Sequence, residues 1–360
     1  MTCDRCEGCR ELGDAFCRYC GSPLIHDSEG KCPRCEESRS LGLNYCRYCG
    51  RRIERKGPWM TIGFYIGVIT AFILTCLMIF EYIVALWGIP QVIGNIGDTG
   101  NTLFIITPAI VDVLTLNGIG SQIYYILLIL AVTACLILYL YKAYKPVKAL
   151  MDGDTGPVKD TAFFEMPVLF AAMFFLEYAF MFILILMGTD LGTLPERENW
   201  KWMFSLLEAS VWEEVLTRVL MLGAPMAVIA YLLKKDGKPA WRYIFGNFKM
   251  DRCAVILIFF SAFMFGAAHL NSWDSWKFVT TFMFGLIAGY LFVKYGLYAT
   301  ILMHFLNDYL QAEAWFFGTS SPVVSTMIVF ILMVACCPYV YVYAKKGVLA
   351  LREIFSRTGS

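Results

Sequence analysis

Six residues of this chain combine side chains that move protons with positions where their charge is costly. Glu213, Glu214 and Arg218 stand in SVWEEVLTRVL (210–220), His269 closes FMFGAAH, and His304 and Asp308 stand in ILMHFLNDYL, each within an otherwise apolar run. A charge at the centre of a bilayer costs at least about 2.5–3.5 kcal/mol on insertion scales, so such residues are functional candidates by default. The chain has only three histidines, and two of them belong to this set.

Their spacing suggests a division of labour. Glu214 and Arg218, at i and i+4, pair on one face of a helix. Glu213 is rotated by about 100° from its neighbour and is left to face a cavity. A desolvated carboxylate is a stronger base than one held by an arginine. His304 and Asp308 also share a helical face, with Asn307 one residue round. The set offers a base, imidazoles that bind water or donate hydrogen bonds, and a carboxylate that fixes a tautomer, which suits hydrolysis of an amide bond. Neither G-x-S-x-G nor H-E-x-x-H occurs, so serine-hydrolase and zincin chemistry lose support. Two other readings stay open. Glu213, His269 and His304 could hold a catalytic zinc as a His2Glu set, or the cluster could be structural in a non-catalytic scaffold. A transporter lacks the repeat between halves that such folds show.

The ordered set resembles the CPBP family of intramembrane proteases, the CAAX prenyl endopeptidase and bacteriocin-processing group also called Abi. The family's E-E-x3-R is matched by Glu213, Glu214 and Arg218, its F-x3-H by Phe265 and His269, and its H-x3-D/N by His304 and Asp308. The resemblance covers roughly residues 160–320. It implies that Glu213 and His269 activate a water and that His304 and Asp308 form the oxyanion side, with Asp308 orienting His304. It also implies that Arg218 holds Glu214, that Phe265 walls the site, and that catalysis needs no metal. The implied substrate is a membrane-associated peptide or protein, lipidated in a CAAX-type case. Bacteriocin immunity through partner binding is the alternative.

Helices must position these residues. The chain has 360 residues, 58% hydrophobic and 16% charged, against about 45–50% apolar and about 25% charged in a soluble domain. Runs long enough to cross a bilayer occupy 59–87, 121–142, 161–187, 202–233, 253–270, 275–293, 297–317 and 322–343. The expected fold is therefore an all-α polytopic membrane protein of about eight transmembrane helices. RRIERK (51–56), YKAYKPVK (141–148), KKDGKPAWR (234–242) and KKGVLALR (345–352) then fall on one side. By the positive-inside rule that side is cytosolic and holds both termini, in what reads as a prokaryotic cell membrane. Arg197 and Lys201 fall on the other side. Net charge is +1, which gives no basic face for nucleic acid. Residues 88–101 read as a loop and 102–119 as a surface segment. Glu81, Glu165 and Glu313 are expected near interfaces or loops, Glu177 behind the catalytic group, and Glu208 along the same cavity. His269 lies about 25 Å along its helix from Arg252, whereas His304 lies only eight residues past Gly296. For the two to meet, helices must tilt or the fifth span must begin after Cys253.

Nine of the fourteen cysteines fall within the first 49 residues. CDRCEGCRELGDAFCRYC (3–20) is repeated at an offset of 29 as CPRCEESRSLGLNYCRYC (32–49). Cys3, Cys6, Cys17 and Cys20 align with Cys32, Cys35, Cys46 and Cys49, two C-x2-C knuckles per copy, each set suited to one tetrahedral zinc. Two structural zinc ions are expected, and Gly21 and Gly50 supply the permissive turn after each final cysteine. Cys9 faces Ser38 in the alignment and reads as a spare thiol, with a C-x2-C starting at Cys6 as the alternative. A disulfide framework is the weaker alternative, since no signal peptide precedes this head. Metal-dependent ribbons of this kind serve as structural or partner-binding modules, and His26 reads as a loop residue between them. The expected division is 1–56 tandem ribbons, 57–158 accessory helices, 159–320 protease core, and 321–360 last span and tail.

Overall fold

In a computed structural model, residues 5–24, 37–38, 43, 45–50, 58–107, 109–192, 197–233, 239–271, 273–310, 312–314, 318 and 322–356 are described. Contacts divide the chain into two units, Met1–Tyr65 and Ile66–Ser360.

In the first unit, helix α1 (Cys6–Glu11) leads into the first knuckle turn. The two copies of the repeat behave alike. Gly21 N–H donates to Cys17 O at 2.8 Å, and Gly50 N–H donates to Cys46 O at 2.9 Å. Both glycines have positive φ, +75° and +70°, and each lies flat on an aromatic ring of the other copy. A Cβ on Gly21 would stand 2.8 Å from the Tyr45 ring, and one on Gly50 would meet Phe16 more closely still. Phe16 and Tyr45 are themselves equivalent at the offset of 29. The clasp is therefore reciprocal, and any side chain at either glycine would prise the copies apart. Cys3, Cys32, Cys35 and His26 lie outside the described residues.

The second unit follows from long apolar runs whose backbone groups must be satisfied internally in lipid. Helices α2 (Pro58–Trp87), α4 (Ile119–Met151), α5 (Ala162–Leu186), α7 (Arg252–His269), α8 (Trp276–Tyr295) and α10 (Val323–Ser356) carry most of it. A composite helix, α6, covers residues 199–232. Seven of these helices are long and apolar enough to cross a membrane, so the chain is an integral, polytopic, mostly helical membrane protein. The starts of α5 and α7 are fixed by caps: Thr161 accepts from Phe164 N–H at 3.3 Å, and Asp251 accepts from Ala254 N–H at 2.9 Å. Small residues let helices close up, as Gly285 does on the backbone of Ala262 between α8 and α7.

Three expectations need revision. The seventh expected span, 297–317, contains helix α9 (Leu297–Tyr309), with 13 residues and about 20 Å of rise, so helix alone covers only part of a crossing there. Gly296, at φ +105°, turns the chain directly from α8 into it. Residues 88–101 contain a helix, α3 (Ile89–Thr99), rather than a loop. Val92 and Ile96, one turn apart, bury its apolar face and outweigh the three glycines and the proline of the 88–99 stretch. The surface segment is an antiparallel hairpin of β1 (Asn101–Ile106) and β2 (Ile110–Leu116), with an irregularity between Leu103 and Phe104.

Candidate active site

Helix α6 changes its winding at the candidate residues. Ala209–Glu213 and Val215–Gly223 are π-helical, with Glu214 between them. Such i→i+5 turns are uncommon and frequent at functional sites. Thr217 reinforces the change by donating its hydroxyl to Glu213 O at 2.5 Å.

The two glutamates sit in different surroundings. Glu214 is fully buried and bound on both oxygens, to Arg218 Nε at 3.2 Å and His304 Nδ1 at 3.0 Å. Arg218, also fully buried, passes a second hydrogen bond to Ser261 Oγ at 2.7 Å, and Ser261 donates on to Thr217 O at 2.7 Å. Among the described residues the ion-pair partner of Glu213 is His304 Nε2, at 3.9 Å, and the Glu213 side chain keeps 17% exposure against 0% for Glu214. One carboxylate is part of a buried network, and the other fronts it.

His304 lies at the junction of three acids. Its Nδ1 donates to Glu214, and its Nε2 faces Glu213 and Asp308, the latter at 3.4 Å. Asp308 is held by Ser210 Oγ at 3.3 Å and by Asn307 Nδ2 at 2.9 Å. Glu213, Glu214, Arg218, His304 and Asp308 thus converge. His269 makes no hydrogen bond or ion pair with Glu213 among the described residues. It is joined to the group through Phe265, whose ring lies 4.8 Å from the His269 ring, 6.0 Å from the His304 ring and 5.7 Å from the Arg218 guanidinium. His269 Nδ1 is spent on Phe265 O at 2.9 Å. A carbonyl only accepts, so Nδ1 carries the proton and the neutral ring offers a lone pair at Nε2. Helix α7 starts at Arg252 with no delay, so a later start of the fifth span does not account for the depth of His269.

Several contributors escaped the sequence reading. Ser210, Ser261 and Thr300 each stand four residues before a motif residue. They complete three stripes at i, i+4 and i+8: Ser210, Glu214, Arg218; Ser261, Phe265, His269; Thr300, His304, Asp308. A hydroxyl one turn ahead of each motif in an apolar run was a readable signal. The hairpin was not readable. It lies against α6, where Trp212 Nε1 donates to Phe104 O at 2.9 Å, and Asn101 Nδ2 donates to Glu208 Oε1 at 3.0 Å. Glu177 is buried on α5, and Lys277, at the start of α8, acts electrostatically on Glu177, His269 and Asp308. Glu81, Glu165 and Glu313, expected near interfaces, are at most 4% exposed. Glu165 receives hydrogen bonds from Tyr290, Lys294 and Tyr295, which explains how it is tolerated there.

Only one group of three potential ligands converges among the described residues: the sulfurs of Cys6, Cys17 and Cys20, within 4.8 Å of one another. Tetrahedral coordination at Zn–S of about 2.3 Å places sulfurs about 3.8 Å apart, and Cys6 Sγ to Cys20 Sγ is 3.5 Å. The donors fit a zinc ion. Cys9, the expected spare thiol, is buried with its sulfur 3.9 Å from Cys17 Sγ, and burial pushes its thiol up. At the equivalent place Ser38 donates to Cys46 Sγ at 3.6 Å. Burial alone would raise the Cys46 thiol. Hydrogen bonds from Ser38 and from the Tyr48 and Cys49 backbone outweigh it and bring the thiol down to about 6. Glu213, His269 and His304 do not converge in this way, which removes support from a catalytic His2Glu zinc.

Residues 195–310 match the family model described as type II CAAX prenyl endopeptidase Rce1-like. That stretch contains all six candidate residues and covers about a third of the chain. No curated protein and no solved structure matches the chain.

Proposed function

We propose that the chain is a glutamate-type intramembrane endopeptidase that hydrolyses a peptide bond of a membrane-associated peptide or protein, lipidated in the CAAX-type case. The observation that carries this reading is the inequality of the two glutamates: Glu214 is saturated by Arg218 and His304, while Glu213 is the more exposed and has no ion-pair partner closer than 3.9 Å. The match of residues 195–310 supports the same reaction class.

In this mechanism Glu213 removes a proton from a water, whose oxygen attacks the scissile carbonyl. His269 accepts a hydrogen bond from that water at Nε2. The developing oxyanion takes a hydrogen bond from His304 Nε2–H, present in the imidazolium form, while Asp308 holds the ring in place. Collapse of the tetrahedral intermediate breaks the C–N bond, and Glu213 returns the proton to the leaving amine. Arg218 stays with Glu214 throughout and keeps that carboxylate out of the proton traffic.

Two zinc ions complete the proposal, one held by Cys3, Cys6, Cys17 and Cys20 and one by Cys32, Cys35, Cys46 and Cys49, in a head that recruits a protein partner. Both termini lie in the cytosol of a prokaryotic cell in this reading, supported by the placement of Lys and Arg. Elemental analysis of the purified chain should return two zinc per molecule.

The test is hydrolysis of farnesylated CAAX peptides and of bacteriocin-type precursor peptides by the full chain in proteoliposomes. Cleavage should resist chelator and disappear in Glu213→Gln and His269→Ala. Full biological activity in both variants would replace proteolysis with the scaffold or immunity reading.

A further inference from the structure

Away from the six residues, at the end of the helices where Lys and Arg concentrate, α7, α8 and α10 enclose a cleft of two joined chambers. The larger, about 490 Å³, is floored by Leu169, Ile258, Phe259 and Leu286. The smaller, about 370 Å³, opens beside Lys249 and Lys294, and the two share Met250, Tyr290, Ala350 and Ile354. Polarity is graded along the helices. Ile258 lies six residues, or about 9 Å, inward from Arg252, and Leu286 nine residues, or about 13 Å, inward from Tyr295. The basic side chains Lys249 and Lys294 stand at the outer end of the same helices.

Charge at this rim is unbalanced. Lys294 is committed to Glu165 at 2.6 Å. Lys249 and Lys346, both exposed, have no carboxylate partner among the described residues. Lys346 rests 5.1 Å from the Tyr343 ring, along the larger chamber. Glu353 is the one acid that lines the cleft. An apolar chamber reaching into the hydrocarbon from a rim with two uncompensated ammonium groups has the polarity of one phospholipid: acyl chain inward, phosphate outward.

We propose that this cleft is a binding site for a single anionic phospholipid, with its acyl chain in the larger chamber and its phosphate met by Lys249 and Lys346. The inference does not rest on the proteolytic reading. A Lys near a membrane surface attracts anionic lipid by about 1 kcal/mol, so two should favour phosphatidylglycerol over phosphatidylcholine by roughly tenfold to thirtyfold.

The full chain in neutral detergent would be titrated with phosphatidylglycerol, with phosphatidylcholine of the same acyl chains, and with sodium phosphate, following thermal unfolding and lipid retention by native mass spectrometry. Phosphatidylglycerol should raise Tm at the lowest concentration and survive as a 1:1 adduct. K249Q/K346Q should lose that preference while keeping the lipid-free Tm of the parent, since both side chains are exposed. Leu286→Trp, which fills the chamber, should weaken both lipids alike. Equal affinity for the two lipids, an unchanged preference in K249Q/K346Q, or a matching effect of sodium phosphate would overturn the proposal. The first would leave an ordinary lipid-facing groove, and the last a phosphate site with no lipid.

Discussion

Two pairs of glutamates are buried in the membrane part of this protein, and the protein treats them in opposite ways. Glu213 and Glu214 stand in a group with an arginine, a histidine, an aspartate and two serines, and both oxygens of Glu214 are engaged. Glu81 and Glu313 act on each other electrostatically, and among the described residues Ser325 donates to Glu313 Oε1. Both Glu81 oxygens and Glu313 Oε2 have no donor among the described residues. Two ionised carboxylates can only accept, so the second pair bonds internally only by sharing a proton. The first pair needs a cation to be tolerated, and that cation leaves one glutamate available for chemistry. Burial of acids is therefore not a sufficient mark of a catalytic site. In the proposed mechanism the mark is a fixed countercharge that separates the roles of neighbouring acids.

The largest effect should come from removing the available base. Glu213→Gln should lower kcat by about 10²–10⁴, the range that general-base catalysis contributes, whereas Glu81→Gln should leave the rate within about twofold. Steady-state hydrolysis of the peptide that the parent cleaves best would measure both. If Glu214→Gln were the inactive variant and Glu213→Gln remained active, the roles of the two glutamates would be exchanged.

Stability gives the next contrast. Arg218→Met takes the guanidinium from the buried Glu214 and leaves it His304 alone, and should cost about 3–5 kcal/mol. Glu81→Gln replaces a carboxyl that has no fixed countercharge with a neutral amide that can donate and should cost about 1 kcal/mol or less. Chemical unfolding in mixed micelles separates the two. A destabilisation at Glu81 as large as at Arg218 would mean that a countercharge holds the second pair as well.

The same contrast explains what was legible beforehand. The six candidate residues announce themselves because ionisable side chains in apolar runs are rare, and their spacing of four needs only helical periodicity. Seven of the eight expected spans were readable from length and apolarity, and the cysteine repeat from its fixed offset. The π-winding of α6 was not, because no residue preference marks it in the sequence. The burial of Glu81 and Glu313 was not readable, since the two act on each other across 232 positions of sequence. Residues 88–101 looked like loop on glycine content, although Val92 and Ile96 at one-turn spacing held the better signal. The length of α9 was hidden by apolar residues that continue past Tyr309.

The smallest contrast concerns the two serines. Ser261 relays between the Arg218 guanidinium and the carbonyl of Thr217, and hydrogen bonds to charged groups contribute about 1.5–3 kcal/mol. Ser325 divides its single hydroxyl proton between Pro322 O and the carboxyl of Glu313, with no fixed cation behind that carboxyl, so its contribution falls nearer about 0.5–1.5 kcal/mol. Ser261→Ala should therefore lower Tm by more than Ser325→Ala. Only Ser261→Ala should also slow hydrolysis, because a guanidinium that loses one anchor holds Glu214 less firmly and lets it compete with Glu213 for His304. Ser261→Thr, which restores the hydroxyl, should recover part of the rate. A rate unchanged in Ser261→Ala despite the lower Tm would show that Arg218 stabilises the fold without setting the difference between the two glutamates.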